Sequence, residues 1–301
     1  MLPRRRRVQR LLPALAWILT ARVAVAAGGA PADTDSAVAL RAQYAVLRPR
    51  LDASVFGQRV VVDSAETTHH LEGSIYAVVD YPYAIVRRAF TSPAAWCEAL
   101  LLHLNVKRCR ADAAGPHAKL AVAVGRKVEQ SVNEAFPFEF AFAVSASEAD
   151  YFRVVLDAPA GPLGTKDYRM TLVGTVLDAR HTFVHLRYSY GYGFQVRMAM
   201  DAYLATGGHG KVGFTVTGHS ADATPTYIGG VRGAIERNAM RYYLALDAYL
   251  GALGVPPARQ VAERFERWFA ATERYPAQLH ELDREAYLQM KRHEYQRQQS
   301  P

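Results

Sequence analysis

The chain has 301 residues, half of them hydrophobic, and a formal net charge of +8. That charge sits at one end: Arg4, Arg5, Arg6, Arg7, Arg10 and Arg22 all precede Ala26, with no acidic residue among them. Taking these six from the 36 basic residues leaves 30 against 28 acidic ones, or +2, so nucleic-acid binding has no electrostatic basis.

The first 26 residues have the parts of a secretory signal peptide. A basic block is followed by an apolar run from Leu11 to Ala21 and an A-x-A site at Ala24-Val25-Ala26. Arg22 cuts the run short of a comfortable membrane span, which favours cleavage over an uncleaved anchor. The expected address is the periplasm, with secretion to the medium as the second reading. Residues 27–54 read as a small, polar tether and a short helix, with Leu40, Tyr44 and Leu47 at helical spacing and an end before Pro49.

From Arg59 the pattern changes. Val60 to Val62 reads as a short strand, His69-His70 as a polar connection, and Gly73 to Tyr81 as a second strand that Pro82 ends. Two short helices follow, Tyr83 to Phe90 and a second with Ser92 as cap and Pro93 at its first position. A meander comes next, with candidate strands at 105–112, 118–128, 136–146, 150–158, 167–178, 182–195 and 210–218, and a short helix from Arg197 to Leu204. The long helix from Thr226 to Leu253 places Ile228, Val231, Ile235, Ala239, Tyr242, Leu246 and Tyr249 on one face. Arg232, Glu236, Arg237, Arg241 and Asp247 fall on the other. Residues 255–301 form a helical extension opened by Pro256-Pro257, with Val261, Phe265, Trp268 and Phe269 on one face. Its eight basic and seven acidic residues either pack back on the domain or dock on a partner.

The segments GSIYAVVDYPYAIVRRAFTSPAAWCEALL and TYIGGVRGAIERNAMRYYLALDAYL, in this order around an antiparallel meander, resemble the START-like superfamily. That is the helix-grip fold of lipid-transfer domains and polyketide cyclases. The resemblance covers roughly residues 55–254 and implies an α+β fold: a curved antiparallel sheet of about seven strands wrapped on a long C-terminal helix. It also implies an apolar ligand cavity. The superfamily has no universal catalytic residues, so none is carried over.

The residues place candidate chemistry in two aromatic faces. Phe136, Phe138, Phe140 and Phe142 share one side of a strand, and Leu186, Tyr188, Tyr190, Tyr192 and Phe194 one side of another. With Met170, Ile235 and Tyr242 they either fill a core or line a pocket for a hydrophobic small molecule or lipid. Tyrosine hydroxyls inside need partners, either waters or a ligand's polar head. Glu139 and Arg187 have the opposite parity and face outward; Asp80 is the other carboxylate to follow. Cys97 and Cys109, in a helix and the strand after it, pair as a disulfide in an oxidising compartment or remain as two buried thiols. No second Cys or His pair stands at zinc-ligand spacing, His181 and His185 share parity without a nearby carboxylate to complete a site, no phosphate loop or G-x-S-x-G motif occurs, and no cofactor is expected. Three readings follow: an exported carrier or sensor of an apolar ligand, a cyclase- or hydrolase-like enzyme in the same cavity, and an interaction protein working through residues 255–301. Transient contact with a membrane accompanies the first.

Overall fold

The computed structural model describes residues 36–112, 118–194, 197–198, 200 and 210–299. The signal peptide, the first part of the tether and most of the helix expected from Arg197 to Leu204 lie outside the described residues. Among the described residues no helix is long and apolar enough to cross a membrane.

Strands β1 (Val60–Thr67) and β2 (His70–Val79) form a hairpin, and β2 runs through Pro82 into helices α2 (Tyr83–Phe90) and α3 (Pro93–Leu100). Ser92 caps α3, accepting from the Ala95 N–H, as its position before Pro93 predicts. Strands β3 (Val106–Asp112), β4 (Ala118–Val124), β5 (Phe136–Ser147), β6 (Tyr151–Ala160), β7 (Lys166–Val176) and β8 (Thr182–Gly191) then complete one antiparallel sheet. Its order is β1-β2-β8-β7-β6-β5-β4-β3, so the last strand of the meander returns to lie beside β2. Eight strands stand where about seven were expected, because Val60 to Val62 continues to Thr67 and adds an edge beside β2.

The expected strand over 210–218 is absent from this sheet. Only Val216–His219 (β9) is extended, and it pairs with Pro225–Tyr227 (β10) in a separate ribbon. The reason is local: the Phe214 and Thr215 N–H groups donate to the Glu236 carboxylate at 2.6 and 2.9 Å, which removes them from any ladder.

Helix α4 (Gly230–Ala252) lies across the concave face of the sheet. It begins four residues later than Thr226 suggests, because Thr226 belongs to β10 and Gly230 sits at φ 61°, which glycine adopts without strain. A methyl group added at Gly73 would stand 3.1 Å from the Ala239 Cβ and 3.1 Å from the Ile235 carbonyl oxygen. The missing side chain at Gly73 is therefore what lets α4 approach β2 so closely.

The polar side of α4 is also buried, which its amphipathic pattern did not predict. Glu236 is fully buried and accepts from Ser64, Phe214 and Thr215, while Arg241 reaches Glu281 at 2.8 Å. These partners come from segments 21 to 172 residues away, so no local pattern encodes them.

A second layer covers the convex face. Helix α1 (Ala37–Asp52) packs Leu40, Leu47 and Leu51 against Tyr76, Phe183, Val173 and Tyr151. It runs through Pro49 instead of ending before it, since Leu51 is buried in this layer and Arg50 holds Asp63 at 2.8 and 3.2 Å. Those contacts outweigh the lost backbone bond.

The C-terminal extension packs back on the domain. Helices α5 (Pro257–Thr272), α6 (Pro276–Leu279) and α7 (Arg284–Gln299) contribute Phe265, Trp268, Tyr287, Leu288 and Met290 to the main core. The Trp268 indole donates to the Arg241 carbonyl at 3.1 Å, and the Tyr287 hydroxyl to the Leu102 carbonyl at 3.1 Å. Cys97 in α3 and Cys109 in β3 form a disulfide with their Cα atoms 5.0 Å apart, which ties α3 to the strand that follows it.

Candidate functional site

Strand alternation sends Phe138, Phe140 and Phe142 from β5, Tyr168 and Met170 from β7, and Tyr188 and Tyr190 from β8 to the concave face beneath α4. All except Tyr168 are buried, as is Ile235 on α4. The rings form a connected cluster. Phe138 lies 4.5 Å from Phe140 and 5.0 Å from Tyr168, centroid to centroid, and Tyr168 stacks on Tyr190 at 5.1 Å. Tyr188 bridges Tyr190 at 5.8 Å and Tyr242 of α4 at 5.0 Å. The edge-on and offset arrangements suit aromatic quadrupoles.

Tyr168 is the ring that sequence reasoning missed. It shares the parity of Met170, which was the available signal, but it stands at a register shift beside Asp167, whose φ is 52°. It is half-buried, and its hydroxyl is 2.8 Å from the Thr165 Oγ1.

Three expected members of the face lie elsewhere. Phe136 and Phe194 are 41% and 72% exposed, past the points where the sheet curves over its contents. Tyr192 is buried, but it follows the end of β8 and donates its hydroxyl to the Thr67 carbonyl at 3.1 Å, so it secures the β1–β2 turn. Glu139 and Asp80 are exposed and paired, with Lys119 at 2.8 Å and Arg59 at 2.9 Å respectively.

The electrostatics of the cluster are those of a dry interior. Burial raises the pKa of Tyr168, Tyr188, Tyr190 and Tyr242, so all four keep their protons. His103, in the turn after α3, stacks on Tyr242 at 4.6 Å. Burial first, and then the Arg241 guanidinium, push its pKa well below the usual histidine range. Its Nδ1 accepts the Asn105 N–H at 3.2 Å, which leaves the proton on Nε2, and that donor has no partner.

Clefts on the surface have other linings. One of about 430 Å³ lies between the end of α1, the end of β2 and α4, with Arg59, Tyr81, Tyr243 and Asp247 in its wall. Burial raises the Asp247 pKa there, although the helical pattern placed that residue on the solvent side. Another of about 680 Å³ runs along the convex face between Glu72, Asp157, Arg169 and Arg187, and Tyr168 reaches its edge. Among the described residues no three His, Cys, Asp or Glu side chains stand together in a way that could hold a metal ion.

No protein-family model matches the chain, and no curated protein matches it. Solved structures similar to it include truncated norcoclaurine synthase from Thalictrum flavum, at 14% identity and a TM-score of 0.32 over 50% of this chain and 87% of that one. The ZhuI aromatase/cyclase from Streptomyces sp. R1128 is similar at 10% identity and a TM-score of 0.30, covering 68% and 95% of the two chains. The di-domain aromatase/cyclase BexL of the BE-7585A biosynthetic pathway reaches 12% and 0.33, covering 75% and 56%. Likeness at this level carries nothing about ligands or residues. The architecture rests on the chain's own elements: strand, helix pair, antiparallel meander returning beside that strand, and a long helix across the concave face. That is an α+β helix-grip arrangement, the one the resemblance to the START-like superfamily implies.

Proposed function

We propose that this is an exported START-like protein that carries or senses an apolar small molecule or lipid, held between the aromatic face of the sheet and α4. The observation that supports this reading is the set of four phenolic rings gathered under one helix, Tyr188 and Tyr190 buried and Tyr168 and Tyr242 partly buried. A core that serves stability alone gains nothing from hydroxyls that each need a buried partner. A ligand with a large apolar body and a few polar atoms uses both the rings and their hydroxyls. Burial of the ligand's apolar surface supplies about 25 cal/mol per Å² of driving force.

The same groups argue against an enzyme. General acid–base work needs a pKa near the operating pH. Here burial drives the tyrosines upward and His103 downward, away from neutrality in both directions. The disulfide supports an oxidising compartment, in keeping with the expected export.

Thermal melting of residues 27–301 with a panel of fatty acids, sterols and polycyclic aromatic compounds tests the reading. A saturable rise in Tm with at least one class is expected, since a ligand that binds only the folded chain stabilises it. A folded protein whose Tm no member moves would contradict it.

A further inference from the structure

The registers place four connections at one end of the sheet. These are the β1–β2 turn, the β4–β5 loop that leads into Phe136, the β6–β7 turn and the exit from β8. Apolar side chains project from three of the four. Leu163 is 90% exposed at the tip of the β6–β7 turn, Phe194 is 72% exposed after β8, Val128 is 47% exposed in the β4–β5 loop, and Phe136 is 41% exposed at the start of β5. Leu163 is costly twice over in water, because its φ of 55° is left-handed and a turn tip is where glycine or asparagine would serve better.

This rim is continuous with the aromatic interior. Phe136 is two residues from Phe138 on the same strand face. The turn that carries Leu163 rests on Tyr168: a methyl group added at Gly161 would come within 2.2 Å of that ring, and Thr165 shares a hydrogen bond with its hydroxyl. Cations stand among the apolar tips. Arg126 and Lys166 are mostly exposed, and their acidic neighbours Glu134 and Asp167 lie 3.6 and 3.7 Å away in loose pairs that a phosphate can replace. Lys127, next to Arg126, is held by Glu281 at 2.6 Å and stays with the fold.

We infer that this end of the sheet docks on a lipid bilayer, with Leu163, Phe194 and Phe136 entering the headgroup–acyl boundary and Arg126 and Lys166 meeting lipid phosphates. Isolated side chains at the tips of separate loops, divided by polar backbone and flanked by cations, suit a fluid interface better than the contiguous flat core of a protein–protein contact. The inference rests on the carrier reading, because it gives an apolar ligand a path between bilayer and interior that avoids water, past Tyr168.

Sedimentation of residues 27–301 with vesicles of phosphatidylcholine alone, and of phosphatidylcholine mixed with phosphatidylglycerol, tests it. The wild type is expected to pellet with the mixed vesicles and less so as salt is raised. The variant Leu163→Asp/Phe136→Ser/Phe194→Ser is expected to lose about tenfold or more in vesicle partitioning. Its Tm should be unchanged, since all three side chains are exposed, and its ligand-induced melting shift should remain. A wild type that stays in the supernatant with both vesicles overturns the docking surface, and so does a variant that pellets equally. Concentration-dependent dimers that the variant abolishes, seen by analytical ultracentrifugation without vesicle binding, would assign the rim to a second copy and also overturn it. Pelleting of a wild type that no apolar compound stabilises would uphold the surface while removing the carrier reading.

Discussion

The Lys107 Nζ stands 2.9 Å from the Glu294 Oε1, and neither side chain has any exposed surface. Lys291, one turn before Glu294 on α7, donates to the other carboxylate oxygen at 2.7 Å and is equally buried. Lys107 also donates to the Leu104 carbonyl and the Met290 Sδ, and Lys291 to the His103 and Val106 carbonyls. One carboxylate thus pairs with two ammonium groups and pins the last helix to β3. Glu294→Gln leaves two buried cations without an anion and should destabilise the fold by about 3–5 kcal/mol. Replacing all three by apolar residues of similar size, Lys107→Met, Glu294→Leu and Lys291→Met, should cost far less. Urea unfolding of both variants checks this.

The same triad sets a pH dependence. Burial lowers the Lys291 pKa from 10.5 to about 8. Between those values the unfolded chain holds a proton that the folded chain has released, so the unfolded state binds more protons and stability rises with pH. Below about pH 8 both states are protonated and the contribution is flat. Above about pH 10 the tyrosines, whose folded pKa is raised, act in the opposite sense. The unfolding free energy should therefore climb from about pH 8 to about 9.5, and Lys291→Met should flatten that climb. Denaturant titrations across this range read it directly.

The disulfide closes a short loop between α3 and β3 at a sequence separation of 12. The double variant Cys97→Ala/Cys109→Ala should lose about 3 kcal/mol. Thiol titration of the denatured wild type without reductant should find no reactive cysteine. One that found both thiols free would restore the alternative of two buried cysteines.

Truncation at Pro256 would remove the partners of Arg241 and Lys107 and uncover the apolar surface beneath Phe265, Trp268 and Tyr287. The fragment ending there should fail to fold or should precipitate. A soluble, cooperatively melting fragment would show that the extension is an appendage free to serve a partner.

Periodicity made the sheet legible, because apolar alternation in β5 and β8 follows from one buried face, and both aromatic stripes point where their parity says. It could not report that Glu236, Arg237 and Arg241 are buried, since that depends on partners far along the chain. Phe136 and Phe194 share the parity of the stripe yet stand exposed, because parity fixes a face and not how far along the strand the cover extends. Tyr168 was hidden by a register shift, and the layer formed by α1 on the convex face was unexpected because a short helix of modest amphipathicity gives no hint of its partner. His103 carried no motif at all; its place beside Tyr242 arises only from tertiary packing.

Native mass spectrometry of residues 27–301, purified from the protein's own host, tests the central claim most directly. The account predicts a retained adduct of an apolar compound that organic extraction releases, at one per chain. A clean mass equal to that of the polypeptide, from a sample that also shows no ligand-induced rise in Tm, would contradict it.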